Sequence, residues 1–249
     1  MKTPALALAA VALALHGNAS QRPVLPSVPI LEFHVIGDPP PGASTPGLYD
    51  PALDFRAQLA WLARNGYSAV TLDEVFRSWR SGGWLPLPRH PVVLSFDDGY
   101  PQDVTVALPA LRRYGWPGVL NLQIGNLVPM RVRELMASGW EIDAHTFTHP
   151  DLTTVGASQL RREIAGSRRW LQAVFGVPAD FFCYPAGRYD QAVLSEVERA
   201  GYLGAETEIP GAASAGGDPF TLPRLEVLRG TGVSGLAALL AQAKTRTSR

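Results

Sequence analysis

Pro91-Val92-Val93-Leu94-Ser95-Phe96-Asp97-Asp98-Gly99-Tyr100 is a short apolar run that ends in two carboxylates and a glycine. An uninterrupted apolar run of this length marks a strand buried on both faces, as in a parallel sheet covered by helices. Outward from it the same pattern repeats. Strands are expected at residues 29–36, 67–72, 118–124, 140–144, 181–184, 202–205 and 225–228. Helices are expected between them. Phe55, Leu59 and Leu62 recur at i, i+4 and i+7 in a helix that stops at Gly66. Asp73 is placed to cap a helix through Trp79. Further helices are expected over 102–114, with a kink at Pro109, and over 129–138, 158–175, 190–200 and 233–243. This alternation predicts an α/β fold with parallel strands. A chain of 249 residues suits a (β/α) barrel of seven or eight strands. An open doubly wound sheet is the alternative, but no Gly-x-Gly-x-x-Gly follows the first strand.

Composition narrows the class. Hydrophobic residues make up 46% and charged residues 18%, enough for a sizeable core. The 22 basic and 22 acidic residues balance, so no nucleic-acid partner is expected. Lys2, the apolar run from Ala5 to Leu15 and the small polar segment through Ser20 predict a secretory signal peptide over 1–20. A Pro-rich linker over 21–29, one domain over 30–243 and a frayed tail over 244–249 are expected to follow. The product is expected to be secreted, periplasmic or in the cell envelope, monomeric, and without stable membrane insertion after cleavage. The single cysteine, Cys183, excludes an intramolecular disulfide; in an apolar strand it reads as core packing.

Polar groups gather at the carboxyl ends of the expected strands, where parallel α/β folds place their chemistry. These groups are His34, Asp97 with Asp98, His145 with His149, and Tyr184 with Pro185. Arg224 stands just ahead of its expected strand. Two adjacent carboxylates repel and call for a cation. Two imidazoles four residues apart can converge on one ion, and with one carboxylate would leave positions open for water and substrate; a hydrogen-bonded loop pair is the alternative. His34 is a candidate general acid, because imidazole titrates near neutrality.

Ser95 to Tyr100, His145 to Leu152 and Tyr184 to Asp190 together resemble the polysaccharide deacetylases of the NodB-homology type, carbohydrate esterase family four. The resemblance spans about Pro29 to Leu240 and implies a distorted (β/α) barrel of about seven strands. It implies a hydrolase removing N-acetyl, or O-acetyl, groups from an acetylated polysaccharide such as poly-N-acetylglucosamine, peptidoglycan or chitin oligomers. By resemblance, Asp97 is the base and Asp98, His145 and His149 hold a divalent metal, zinc in most members. His34 is then the acid, and Tyr184 and Pro185 bring a backbone amide to the oxyanion. The arginine that usually opens the third motif is replaced by Cys183, so its cation is expected from Arg224 or Arg188. A late Leu-x-His motif is absent, which leaves His34 as the histidine acid. A non-catalytic carbohydrate-binding relative and a deacylase of small amides are the competing readings.

Overall fold

The structure, a computed structural model, describes residues 25–246. The expected signal peptide lies outside the described residues. The chain opens with β1 (Ile30–Phe33), then the small pair β2 (Val35–Ile36) and β3 (Tyr49–Asp50), α1 (Ala52–Arg64), β4 (Tyr67–Ala69) and α2 (Leu72–Arg80). The central strand β5 (His90–Asp98) leads to α3 (Leu108–Arg112), β6 (Val119–Leu122), α4 (Pro129–Met136) and β7 (Glu141–Ala144). Then come α5 (Ala157–Arg161), α6 (Ser167–Phe175), β8 (Phe181–Cys183), α7 (Gln191–Arg199), β9 (Gly204–Pro210), β10 (Leu222–Glu226) and α8 (Gly232–Arg246).

Seven of these strands close into a parallel barrel. Their order is β1, β10, β9, β8, β7, β6, β5, and β5 returns to β1 with Ile30 opposite Val93 and Phe33 opposite Phe96. Strand β4 joins only the amino-terminal end of β5, from Tyr67 opposite His90 to Ala69 opposite Val92. The ring is therefore closed, with seven strands rather than eight, and the open-sheet alternative is excluded.

Because successive side chains alternate faces, each barrel strand supplies two cores. Outward residues such as Leu31, Leu94, Leu120, Phe182 and Leu225 pack under the helices. Inward residues at the amino-terminal end, Ile30, Val93, Val119, Phe181 and Leu222, form an apolar plug. One layer further along, the inward positions are polar: Glu32, Ser95, Asn121, Cys183, Glu206 and Arg224 are all buried.

Several local expectations are corrected. Helix α2 is capped by Thr71, not Asp73. The Glu74 amide donates to Thr71 Oγ1 at 3.2 Å and the Thr71 amide to Glu74 Oε2 at 2.9 Å, while Asp73 sits in the first turn and pairs with Arg77. The segment before Pro109 widens into a π turn, in which the Leu108 amide reaches Asp103 O. Strand β10 starts earlier than expected, so Arg224 lies inside it rather than ahead of it. Helix α8 continues to Arg246, into the expected tail.

The barrel seam depends on one aromatic cluster. Phe55 of α1 meets Phe33 of β1 and Phe96 of β5 edge-on, at 5.2 and 6.0 Å between ring centres. All three are fully buried. Phe55→Ala is expected to cost about 3–5 kcal/mol of unfolding free energy in urea titrations; a loss below about 1 kcal/mol would show that the seam does not need this ring.

Candidate active site

The carboxyl end of β5 organises the site. Asp97 points inward, where Arg224 reaches it from β10 with both arms of its guanidinium. Nη1 lies 2.8 Å from Asp97 Oδ1 and Nη2 lies 2.8 Å from Oδ2. Asn121 Nδ2 also donates to Oδ1 at 2.8 Å, and the Cys183 thiol lies 3.4 Å from Oδ2. Burial opposes ionisation of Asp97, but the Arg224 guanidinium outweighs it and holds the carboxyl well below the ordinary range. Asp97 is therefore a fixed anion, and a weak base that takes a proton only from an acidified donor.

Arg224 is itself buried among acids. It donates through Nε to Thr207 O at 2.9 Å, and lies 3.2 Å from Glu32 and 3.6 Å from Glu206. One guanidinium cannot offset three carboxylates. Burial pushes Glu32 well up, and pushes Glu206 up to about 7, so the surplus negative charge is taken up by protons. Arg188, the other candidate cation, lies at the surface and pairs with Asp151 at 2.8 Å.

Asp98 turns the other way. Its φ of 74° is rare for a residue with a side chain, and Gly99 follows at φ 86°. A Cβ on Gly99 would lie 2.6 Å from Leu122 Cδ1, and with this φ that favours glycine there. Asp98 Oδ1 faces His145 Nε2 at 3.5 Å and His149 Nε2 at 3.8 Å. These separations exceed hydrogen-bond lengths, yet the three ligand atoms lie within 4.8 Å of one another. His145 Nδ1 sits 2.8 Å from the Cys183 carbonyl. A carbonyl only accepts, so Nδ1 carries the proton and Nε2 keeps its lone pair toward Asp98. Burial lowers the His145 pKa and favours this neutral form. Two imidazole nitrogens and one carboxylate oxygen, converging without bonding one another, fit a divalent ion with open positions. Asp97, His145 and Cys183 also cluster, but Arg224 occupies Asp97 and burial raises the thiol pKa, so that set fits an ion less well.

The histidine loop is held from behind. Glu163, fully buried, accepts the amides of Phe147 at 2.7 Å and Thr148 at 3.0 Å, and the Thr148 hydroxyl at 2.8 Å. Thr146 and His149 adopt positive φ, at 68° and 52°. With Asp98 and Ala186, four of the five non-glycine residues at positive φ lie in the site motifs. Strained backbone of this kind persists where surrounding bonds enforce it.

His34 leaves β1 beside this centre, 3.9 Å from Glu32 and within the same group of ligand atoms as Asp97. The oxyanion role expected for Tyr184 and Pro185 does not fit. The Tyr184 amide donates to Glu206 O in the sheet at 3.1 Å, its buried hydroxyl bonds Phe220 O, and Pro185 has no N–H. Cys183 is buried core as expected, but its thiol also touches Asp97. Sequence reasoning missed Glu32, Asn121, Glu163 and Glu206. Three of them were signalled by polar residues at alternate positions of apolar strands, and Glu163 by a lone acid between Leu160 and Ile164.

Residues 85–205 match the family model for polysaccharide deacetylase. YxkH of Bacillus subtilis strain 168, whose name assigns it to the polysaccharide deacetylases, is 30% identical over 227 residues, covering 87% of this chain and 77% of that protein. The poly-beta-1,6-N-acetyl-D-glucosamine N-deacetylase of Escherichia coli K12 is 44% identical over 64 residues, 26% of this chain and 9% of that protein. The solved Streptococcus pyogenes deacetylase PplD, in complex with acetate, has a TM-score of 0.79 at 27% identity, covering 88% of this chain and 99% of that one. The chain belongs to the polysaccharide deacetylase family, and its fold is the NodB-type barrel of that family.

Glu206 and Asp50, both buried, are each pushed up to about 7. The folded protein therefore binds protons that the unfolded chain releases above its ordinary carboxylate range. Stability is expected to rise as pH falls from about 8 to about 5. Below that it falls, because Asp97, held low in the fold, takes up its proton first in the unfolded chain. Urea midpoints of the chelated protein measure this; a midpoint that climbs toward pH 8 contradicts the assignment of buried, protonated carboxyls.

Proposed function

We propose that this polysaccharide deacetylase is a divalent-metal enzyme acting outside the cytoplasm on N-acetylated glycans, with poly-N-acetylglucosamine the leading substrate class. The observation that carries the reading is the convergence of Asp98, His145 and His149 beside an Asp97 fixed by Arg224. The sequence of residues 1–20 supports export. Similarity to the Escherichia coli poly-beta-1,6-N-acetyl-D-glucosamine N-deacetylase supports the glycan class, and similarity to the Bacillus subtilis peptidoglycan-N-acetylmuramic acid deacetylase PdaA makes peptidoglycan the second choice.

Asp98, His145 and His149 would hold the ion, and this nitrogen-rich set favours zinc. When bound, it supplies Lewis-acid polarisation of a carbonyl and lowers the pKa of water. The chain's own groups do the rest. Asp97 accepts the proton of the attacking water, and its orientation is set by Arg224 and Asn121. Arg224 stays charged throughout and keeps Asp97 from turning. His34, at the end of the neighbouring strand β1, donates the proton that lets the sugar amine leave, and acetate is the second product. Glu163 keeps His145 and His149 in place by bonding the loop between them.

Acetate release from N-acetylglucosamine oligomers should stop with chelator and return with zinc. Asp97→Asn should lower turnover by about 10²–10⁴-fold while metal content, measured by atomic absorption, is retained. Wild-type turnover in that variant would remove Asp97 from the mechanism. His34→Ala should lower turnover without changing metal content.

A further inference from the structure

Outside the barrel, a second polar groove is unused by the deacetylation reading. It lies between the helical stretch 157–175 and the end of α7 and encloses about 540 Å³. Arg161, Arg162, Arg168, Arg169 and Arg199 line it against one carboxylate, Glu196. The whole chain carries no net charge, so this local excess of cations is a feature of the groove.

The arginines divide into two groups. Arg168 is fixed: it donates to Ala179 O, Ala200 O and Asp180, and forms the floor. Arg199 pairs with Glu196. Arg161 and Arg169 are exposed and make no ion pair among the described residues. These two stand eight residues apart, about 12 Å along a helix, so one small anion does not bridge both. Arg162 lies over the Phe147 ring, 5.6 Å from its centre. Phe147 belongs to the loop that carries His145 and His149, so Arg162 links the groove to that loop.

Guanidinium forks match oxyanions bidentately. Successive phosphate groups along one chain each keep a full charge, and so can serve forks that stand well apart. We propose that this groove binds the phosphate groups of an anionic polymer, on the outer face of the helices that back the histidine loop.

Calorimetric titration of the full chain with short-chain polyphosphate tests this, with polyglucuronate and phosphatidylglycerol-containing vesicles as parallel probes. Polyphosphate should bind, and binding should weaken as salt is raised. The double variant R161Q/R169Q should bind about tenfold more weakly. It should keep wild-type acetate release and melting temperature. The charge-matched control R56Q/R64Q should bind as wild type. Equal affinity in R161Q/R169Q, including binding carried by the metal donors, would overturn the site. Equal affinity for polyglucuronate would overturn the phosphate class. Binding to vesicles but not to polyphosphate would assign the groove to a lipid surface and overturn the polymer.

Discussion

The pairing of Arg224 with Asp97 inside the barrel is the constraint on which the site depends. A buried cation is costly unless anions and acceptors surround it. Here Asp97 supplies both carboxylate oxygens, and Thr207, Ser95, Glu32 and Glu206 complete the shell. In return, the guanidinium fixes the carboxylate that the chemistry uses. Removing either partner leaves a buried charge without its match. The surplus acids Glu32 and Glu206 are tolerated because burial keeps protons on them. A small barrel usually fills its interior with apolar layers. This one keeps a single apolar plug and gives the next layer to polar groups.

The second constraint is the backbone. Asp97 and Asp98 are adjacent on β5 and would ordinarily face opposite sides of the strand. The positive φ at Asp98 turns its carboxylate toward His145 and His149 and leaves Asp97 facing Arg224. Two neighbouring acids thus serve two separate partners, one a cation built into the chain and the other a set of metal donors. Glu163 and the Cys183 carbonyl fix the histidines from the far side. The same stretch, residues 157–175, carries the arginine groove on its outer face. One helical segment therefore supports the histidine loop on its inner side and presents cations on its outer side.

Much of this was legible in the chain. The apolar run ending in Asp97 and Asp98 marked the central strand; the strand–helix alternation marked a parallel α/β fold, and length and family resemblance pointed to the barrel. His145 and His149 were recognisable from spacing, and the family resemblance left Arg224 and Arg188 as candidates for the gap at Cys183. The partners of these residues were less legible for a physical reason. Glu32, Asn121 and Glu206 meet only across the barrel interior, through contacts between strands far apart in sequence. Ring closure, and not local pattern, brings them together. The oxyanion expectation for Tyr184 and Pro185 failed similarly: the Tyr184 amide is consumed by a ladder bond to β9, which no motif records. Thr71 outcompeted Asp73 as a cap because Glu74 completes the reciprocal pair.

A double-mutant cycle on Arg224→Met and Asp97→Asn, read by urea unfolding of the chelated protein, tests the central pairing most directly. Arg224→Met alone should cost about 3–5 kcal/mol, by stranding buried carboxylates. Adding Asp97→Asn should restore part of that loss, with a coupling of about 1–3 kcal/mol. Strictly additive losses would contradict the account, since they would mean that Arg224 and Asp97 stabilise the barrel independently.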